Sequence, residues 1–321
     1  MNVRRLIPTT ALAGAVTLGL VTLSACSGTS DAAGKGSGGK LDVVASFYPM
    51  QYLAEQIGGG HVAVDTLTKP GVEPHDLELK PKQIGELGEA DVIVYLKGIQ
   101  PAVDEAIAQA GVANTVDAAA LTELEDHGTS SGHDHAAEEA DHDHASEAGA
   151  DPHIWLDPVK YAEVAKGVGA AFEKADPDHA ADYRKNTDAL LKKLGALNTE
   201  FANGLKNTTT RTFITTHSAF GYLAERYGLE QEGITGIDPE SEPSPARVKE
   251  LQDIARKDKV STVFFETLAS DKTAKTLAND TGLQTDVLDP LEGITDTSKG
   301  ADYIQVMQSN LAALQKALGA K

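Results

Sequence analysis

The sequence predicts an α/β protein of two lobes, each with a mostly parallel sheet flanked by helices, bridged by a long helix. Three observations predict it. Short β-rich runs alternate with helical patterns from Leu41 to Asp117, and the alternation restarts at Arg211 and runs to Leu318; such alternation reads as βαβ units. A continuous helical region at 158–207 separates the two blocks. The 321 residues supply enough chain to bury a core in each lobe.

Leu41–Phe47 is β-rich, and the helical pattern from Tyr48 to Ile57 stops at Gly58-Gly59-Gly60. His61–Thr68 alternates as a strand, and a Pro/Gly loop follows, Lys69-Pro70-Gly71-Val72-Glu73-Pro74-His75-Asp76. Pro81–Ala90 reads as a helix, Asp91–Leu96 as an apolar strand, Pro101–Ala110 as a helix and Thr115–Asp117 as a short strand. Asp157 and Pro158 supply an N-cap and a first helical residue, opening a helix to about Lys174. Asp176-Pro177 opens a second, running to about Asn207. That helix carries Leu190, Leu194, Leu197, Phe201 and Leu205 on one stripe, a core-packing pattern. At ~1.5 Å per residue it would be roughly 45 Å long, enough to connect two lobes. Beyond it the reading is strand 211–216, helix 218–227, strand 229–237 and a Ser244-capped helix to 257. Strand 260–265, helix 272–281, strand 284–288 and helix 299–318 complete the chain. No close internal sequence repeat is visible.

The ends and one insertion are of different character. Arg4 and Arg5 precede an apolar run that closes on Leu23-Ser24-Ala25-Cys26, the pattern of a secretory signal. The small-residue pair before Cys26 resembles a bacterial lipobox, in which that cysteine becomes the lipidated first residue. A plain secretory signal and an uncleaved anchor are the alternatives. Residues 27–40 are Gly/Ser-rich and read as a flexible tether. Residues 126–150 are Ala, Asp, Glu, Gly, Ser and His without apolar periodicity, a solvated loop. The organisation is therefore a signal peptide at 1–26, a tether at 27–40 and a first lobe at 41–157 carrying the loop. Connecting helices occupy 158–207 and the second lobe 208–321.

A formal net charge of −20 excludes nucleic acid as a partner, because phosphate recognition needs a basic footprint. Cys26 is the only cysteine, so the exported body has no disulfide and no thiolate for zinc or catalysis. Any metal site must be built from histidine and carboxylate.

Four such residues occupy equivalent places. His75 lies in the loop after a strand, His217 follows the strand Arg211–Thr216, and Asp289 follows Gln284–Leu288. His153 sits in Asp151-Pro152-His153-Ile154-Trp155-Leu156-Asp157-Pro158, a proline-framed segment that holds the only tryptophan. Residues before proline are pushed out of the α region, which stiffens the frame. In open α/β sheets ligands bind beyond the carboxyl ends of strands, so two residues from each half would converge on a cleft. Each alone is more often a turn or cap residue; the set of four is harder to explain that way. Three imidazoles and a carboxylate form an N₃O set suited to tetrahedral Zn²⁺, whereas Mn²⁺ favours more oxygen. In the loop, His127, His133, His135, His142 and His144 are interleaved with acids, a metal-binding composition. Ordering a mobile segment costs entropy, so this second site should bind more weakly.

Val72–Glu78, Asp151–Pro158, Thr215–Tyr222 and Leu288–Leu291 carry a resemblance, with Glu240–Pro245 and Val263–Glu266 in support. In the right order, these stretches cover nearly all of the chain after the tether. The chain resembles the substrate-binding lipoproteins of bacterial zinc/manganese ABC transporters (the cluster A-I metal-binding family), in their zinc form. The resemblance implies two α/β lobes bridged by a long helix with the metal between them. It places His75, His153, His217 and Asp289 at the ligand positions, and Glu266 as a residue supporting a ligand. Manganese members typically carry Glu where His217 stands. Some zinc members add a Glu directly before the first histidine; Pro74 stands there, so that role is not carried over to Glu73.

The reading is thus a non-enzymatic, monomeric binding protein. It is held outside the cytoplasm by lipid on Cys26, captures Zn²⁺ and delivers it to a cognate ABC permease. A Mn²⁺ carrier of the same family and an exported zinc hydrolase are the alternatives. The hydrolase lacks a His-Glu-x-x-His motif, and four protein ligands would close the coordination shell. Adhesion to host or matrix is a side activity of some relatives that the residues do not address.

Overall fold

The computed structural model describes residues 39–112, 114–127 and 150–321. The expected signal peptide, the lipidation of Cys26, most of the tether and the loop histidines His133, His135, His142 and His144 lie outside the described residues.

The first half runs β1 (Leu41–Ala45), α1 (Tyr48–Gly58), β2 (Val62–Thr66), α2 (Pro81–Glu89), β3 (Val92–Tyr95), α3 (Pro101–Ala110) and β4 (Thr115–Asp117). Its four strands are all parallel, in the order β2-β1-β3-β4. Two helices follow, α4 (Pro158–Ala175) and α5 (Ala180–Gly204). The second half contains β5 (Thr212–Thr215), α6 (Gly221–Tyr227), β6 (Glu230–Gly233), α7 (Pro245–Lys257), β7 (Thr262–Phe265), α8 (Lys272–Thr281), β8 (Gln284–Val287) and α9 (Tyr303–Leu318). Its sheet is again parallel, in the order β6-β5-β7-β8. Both halves thus share one topology that no sequence repeat announces.

Local chemistry sets the boundaries. Asp157, Ser244 and Asp302 each accept a backbone N–H of the helix they open, from Val159, Arg247 and Gln305, which satisfies one orphan donor of the first turn. Proline occupies the first turn of α2, α3, α4 and α7, where its missing N–H costs nothing. Several elements are shorter than the sequence suggests, among them β6 (Glu230–Gly233), α9 (Tyr303–Leu318) and two further helices. The helix expected from Ser218 begins at Gly221, because the Ser218 N–H and hydroxyl are committed to the carbonyls of Gly236 and Thr235. The long helix is α5 with 25 residues, about 37 Å at ~1.5 Å per residue, since residues 177–179 form a separate 3-10 turn.

α5 packs against α4, α1 and α9, so it touches both halves. The halves also share apolar packing. One continuous cluster joins Leu41, Phe47, Trp155 and Tyr161 to Phe213, Leu223, Leu288 and Tyr303. Smaller clusters cover the outer faces of each sheet, around Ile93 in the first and Val263 in the second. Trp155 is fully buried and lies edge-on to Phe47, ring centroids 5.1 Å apart. Its indole N–H donates to the Pro290 carbonyl at 2.7 Å. The tryptophan of the first half is thereby pinned to the loop after β8. No helix among the described residues is long and apolar enough to cross a membrane.

Candidate metal centre

Four loops converge where the two sheets' carboxyl ends face one another. The first leaves β2. Val72 N–H donates to the Lys69 carbonyl at 3.0 Å, closing a turn with Pro70 and Gly71 at its centre. Gly71 has φ +83°, the left-handed value this turn requires at its third residue. A second turn, with Leu77 N–H donating to Pro74, presents His75, whose own N–H is accepted by both Glu73 carboxylate oxygens at 3.2 Å.

The second loop is Asp151–Leu156. A single Asp151 oxygen accepts both the backbone N–H of His153 at 2.9 Å and its ring Nδ1 at 2.7 Å. The frame fixes the ring as well as the chain. His217 follows β5, and its Nδ1 meets Glu266 Oε1 at 2.8 Å, an oxygen that also accepts from Thr216 Oγ1 at 2.7 Å. Glu266 itself directly follows β7.

The fourth loop differs from the sequence expectation. Asp289 is buried, but its carboxylate is spent on the protein: it accepts from Leu291 N–H at 2.8 Å and Thr267 Oγ1 at 3.1 Å. Its backbone N–H and carbonyl are both held by the Asn310 side chain. These bonds fold the chain into a turn in which Leu291 takes φ +61°, an uncommon conformation for a side-chain-bearing residue. The turn delivers Glu292, three residues on, into the cleft. Glu292 Oε1 lies 3.3 Å from His75 Nε2, 3.1 Å from His153 Nε2 and 3.2 Å from His217 Nε2. Donor atoms of these four residues all fall within 4.8 Å of one another. The structure therefore gathers the three expected histidines and brings Glu292 among them in place of Asp289.

A family described as "Zinc-uptake complex component A periplasmic" matches residues 43–317. The chain belongs to this family. It is 38% identical over 314 residues to the high-affinity zinc uptake system protein ZnuA of Bacillus subtilis, covering 94% of this chain and 97% of that protein. It is 35% identical over 304 residues to the zinc-binding lipoprotein AdcA of Streptococcus pneumoniae; the alignment takes in 88% of this chain and 56% of AdcA. The chain thus spans about half the length of the AdcA proteins it matches. The crystal structure of the Zn(II)-bound ZnuA-like domain of Streptococcus pneumoniae AdcA superposes with a TM-score of 0.72 at 33% identity, over 87% of this chain and 99% of that domain.

The electrostatics of this zinc-uptake family member follow from burial. His153 and Glu292 are fully enclosed and His217 nearly so, while His75 keeps about a tenth of its side chain exposed. Burial alone would strip His217 of its proton, but the charges of Glu266 and Glu292 and their hydrogen bonds outweigh it and hold the imidazole well above its ordinary range. His153 is raised in the same way by Asp151 and Glu292 against its burial. Burial would raise Glu292, yet the His217 charge and hydrogen bonds from all three rings hold it well below the usual carboxylate range. Burial and the Glu292 charge push Glu73 up to about 8. These shifts favour the protonated forms of His153 and His217 beside an ionised Glu292. The second Glu292 oxygen is buried with no hydrogen-bond partner, a costly state for an ionised group and one that a coordinated cation relieves. A hollow of about 80 Å³ lined by Tyr48, Thr68, Lys69 and Gly293 reaches Glu292.

Sequence reasoning missed three members of this site. Glu292 leaves a signal, an acid beside Leu291, Gly293 and Ile294, but position directly after a strand singles out Asp289 instead. Asp151 was visible only as part of a rigid frame. The side-chain role of Glu73 in holding His75 has no sequence signature beyond proximity.

Proposed function

We propose that this protein captures Zn²⁺ between its two halves and hands it to an ABC permease for uptake, with no chemistry performed on the ion. The observation that carries this is the convergence of three imidazole Nε2 atoms on one buried carboxylate oxygen, at 3.1 to 3.3 Å. A carboxylate at Nδ1 of His153 and of His217 fixes the proton there. Nε2 is then left as the metal donor, and the ring is made more basic. His75, His153, His217 and Glu292 give the N₃O set that zinc prefers, and a donor set richer in oxygen would be needed to favour manganese. Four protein donors fill a tetrahedral shell, whereas a hydrolase keeps a place for water. Glu266 and Asp151 act as supports for His217 and His153, and Asp289 as the builder of the turn that presents Glu292. The names of the relatives, a zinc uptake protein and a zinc-binding lipoprotein, support the cargo, and the family description supports a place in an uptake complex outside the cytoplasm. Lipid attachment at Cys26 and a monomeric state complete the reading.

The test is zinc content after exhaustive dialysis. A variant lacking residues 128–149 should retain one zinc per chain, and His217→Ala in that background should retain none. Zinc content that vanished with the deletion alone would refute the cleft as the binding site.

A further inference from the structure

We infer that a second divalent-cation site lies outside the cleft, formed by Glu125, His127 and Glu225. One ligand atom from each of the three falls within 4.8 Å of the others. His127 Nε2 lies 2.7 Å from Glu225 Oε2 and 3.8 Å from Glu125 Oε2. Glu125 precedes the histidine-rich segment, His127 is its first histidine, and Glu225 belongs to α6 of the other half, so an ion here would bind across the two halves.

Orientation gives the independent support. The other ring nitrogen of His127, Nδ1, meets Asp151 Oδ2 at 3.1 Å, and Asp151 is fully buried. That carboxylate fixes the proton on Nδ1 and turns the Nε2 lone pair toward the two glutamates, the arrangement that supports a metal-bound histidine. The same carboxylate, through Oδ1, performs this service for His153 at 2.7 Å. The Tyr222 hydroxyl locks the unit: it donates to the Asp151 carbonyl at 2.7 Å and accepts from Glu125 N–H at 2.8 Å. Gly221 permits the approach, since a Cβ there would lie 2.3 Å from His127 Cβ. One imidazole and two carboxylates suit a borderline divalent ion such as Zn²⁺, with water completing the shell. Lys160 Nζ, 2.6 Å from Glu125 Oε1, competes for that glutamate, and Glu225 stands 60% exposed. Both features make this the weaker of the two sites. The site stands on these contacts alone; only the partnership through Asp151 rests on the proposed cleft.

The test removes the other histidines of the His-rich segment by substituting His133, His135, His142 and His144 with alanine in the full chain, then titrates with zinc in a calorimeter. Two equivalents are expected. Adding Glu225→Gln should weaken the second at least tenfold and leave the tight one within twofold. Adding His217→Ala instead should abolish the tight equivalent and leave the weaker, which separates this site from the cleft. A single equivalent in the four-alanine background, or a second one indifferent to Glu225→Gln, would overturn the inference.

Discussion

At the scale of single residues, the two neighbouring acids Asp289 and Glu292 divide the work. Asp289→Asn leaves the turn with an amide where a carboxylate accepted Leu291 N–H and Thr267 Oγ1, and should cost folding stability of about 1–3 kcal/mol, read from urea unfolding of the metal-free protein. Glu266→Gln removes the charged partner of His217 Nδ1, and should lower zinc affinity by about 10–100-fold, read by competition with a chromogenic chelator. The pH dependence has opposite signs with and without metal. His217 is raised well above 6.5 because Glu266 and Glu292 outweigh burial. Its contribution to metal-free stability is therefore complete below about pH 6.5 and fades as pH rises through the elevated value. Zinc needs the same nitrogen deprotonated, so affinity grows over that window. The melting temperature of the metal-free protein should fall from pH 6.5 upward while the shift on adding zinc widens; a shift that stays flat would contradict the account. The three histidines were legible because imidazole after a strand, or inside a proline frame, is rare enough to notice. Glu292 was not, because its place depends on a left-handed Leu291, and nothing in the residue's identity announces φ +61°.

At the scale of elements, capping chemistry was the most legible feature. Asp157-Pro158 and Ser244-Pro245 mark the starts of α4 and α7 as the sequence indicates. The start of α6 was not legible, because tertiary bonds from Ser218 to Thr235 and Gly236 override local helix preference. Tyr222 links α6 to the segment that carries His153, through bonds to Asp151 and Glu125. Tyr222→Phe should leave the Glu125 N–H without its acceptor and lower thermal stability by about 1–2 kcal/mol, with the tight zinc retained. Loss of the tight zinc in Tyr222→Phe would mean that α6 holds the cleft histidines more directly than these contacts imply.

At the scale of the whole molecule, composition and alternation indicated two α/β halves, but not that they share a core. Trp155 against Phe47, its bond to Pro290, and the cluster reaching Phe213 and Tyr303 fasten the halves together, and α5 packs on elements of both. Side-chain packing across a junction has no periodic signal in sequence. Such a fastened junction opposes a wide hinge, so zinc release should come from rearrangement of the loops around His75 and Glu292. Small-angle scattering should find no resolvable change in radius of gyration when zinc is removed. The most direct test of the central claim is a zinc competition titration of Glu292→Gln beside Asp289→Asn, each checked for folding. The account predicts that Glu292→Gln loses tight zinc binding while Asp289→Asn, though less stable, keeps affinity within about tenfold. Tight binding kept by Glu292→Gln and lost by Asp289→Asn would return the fourth ligand to Asp289 and contradict the site described above.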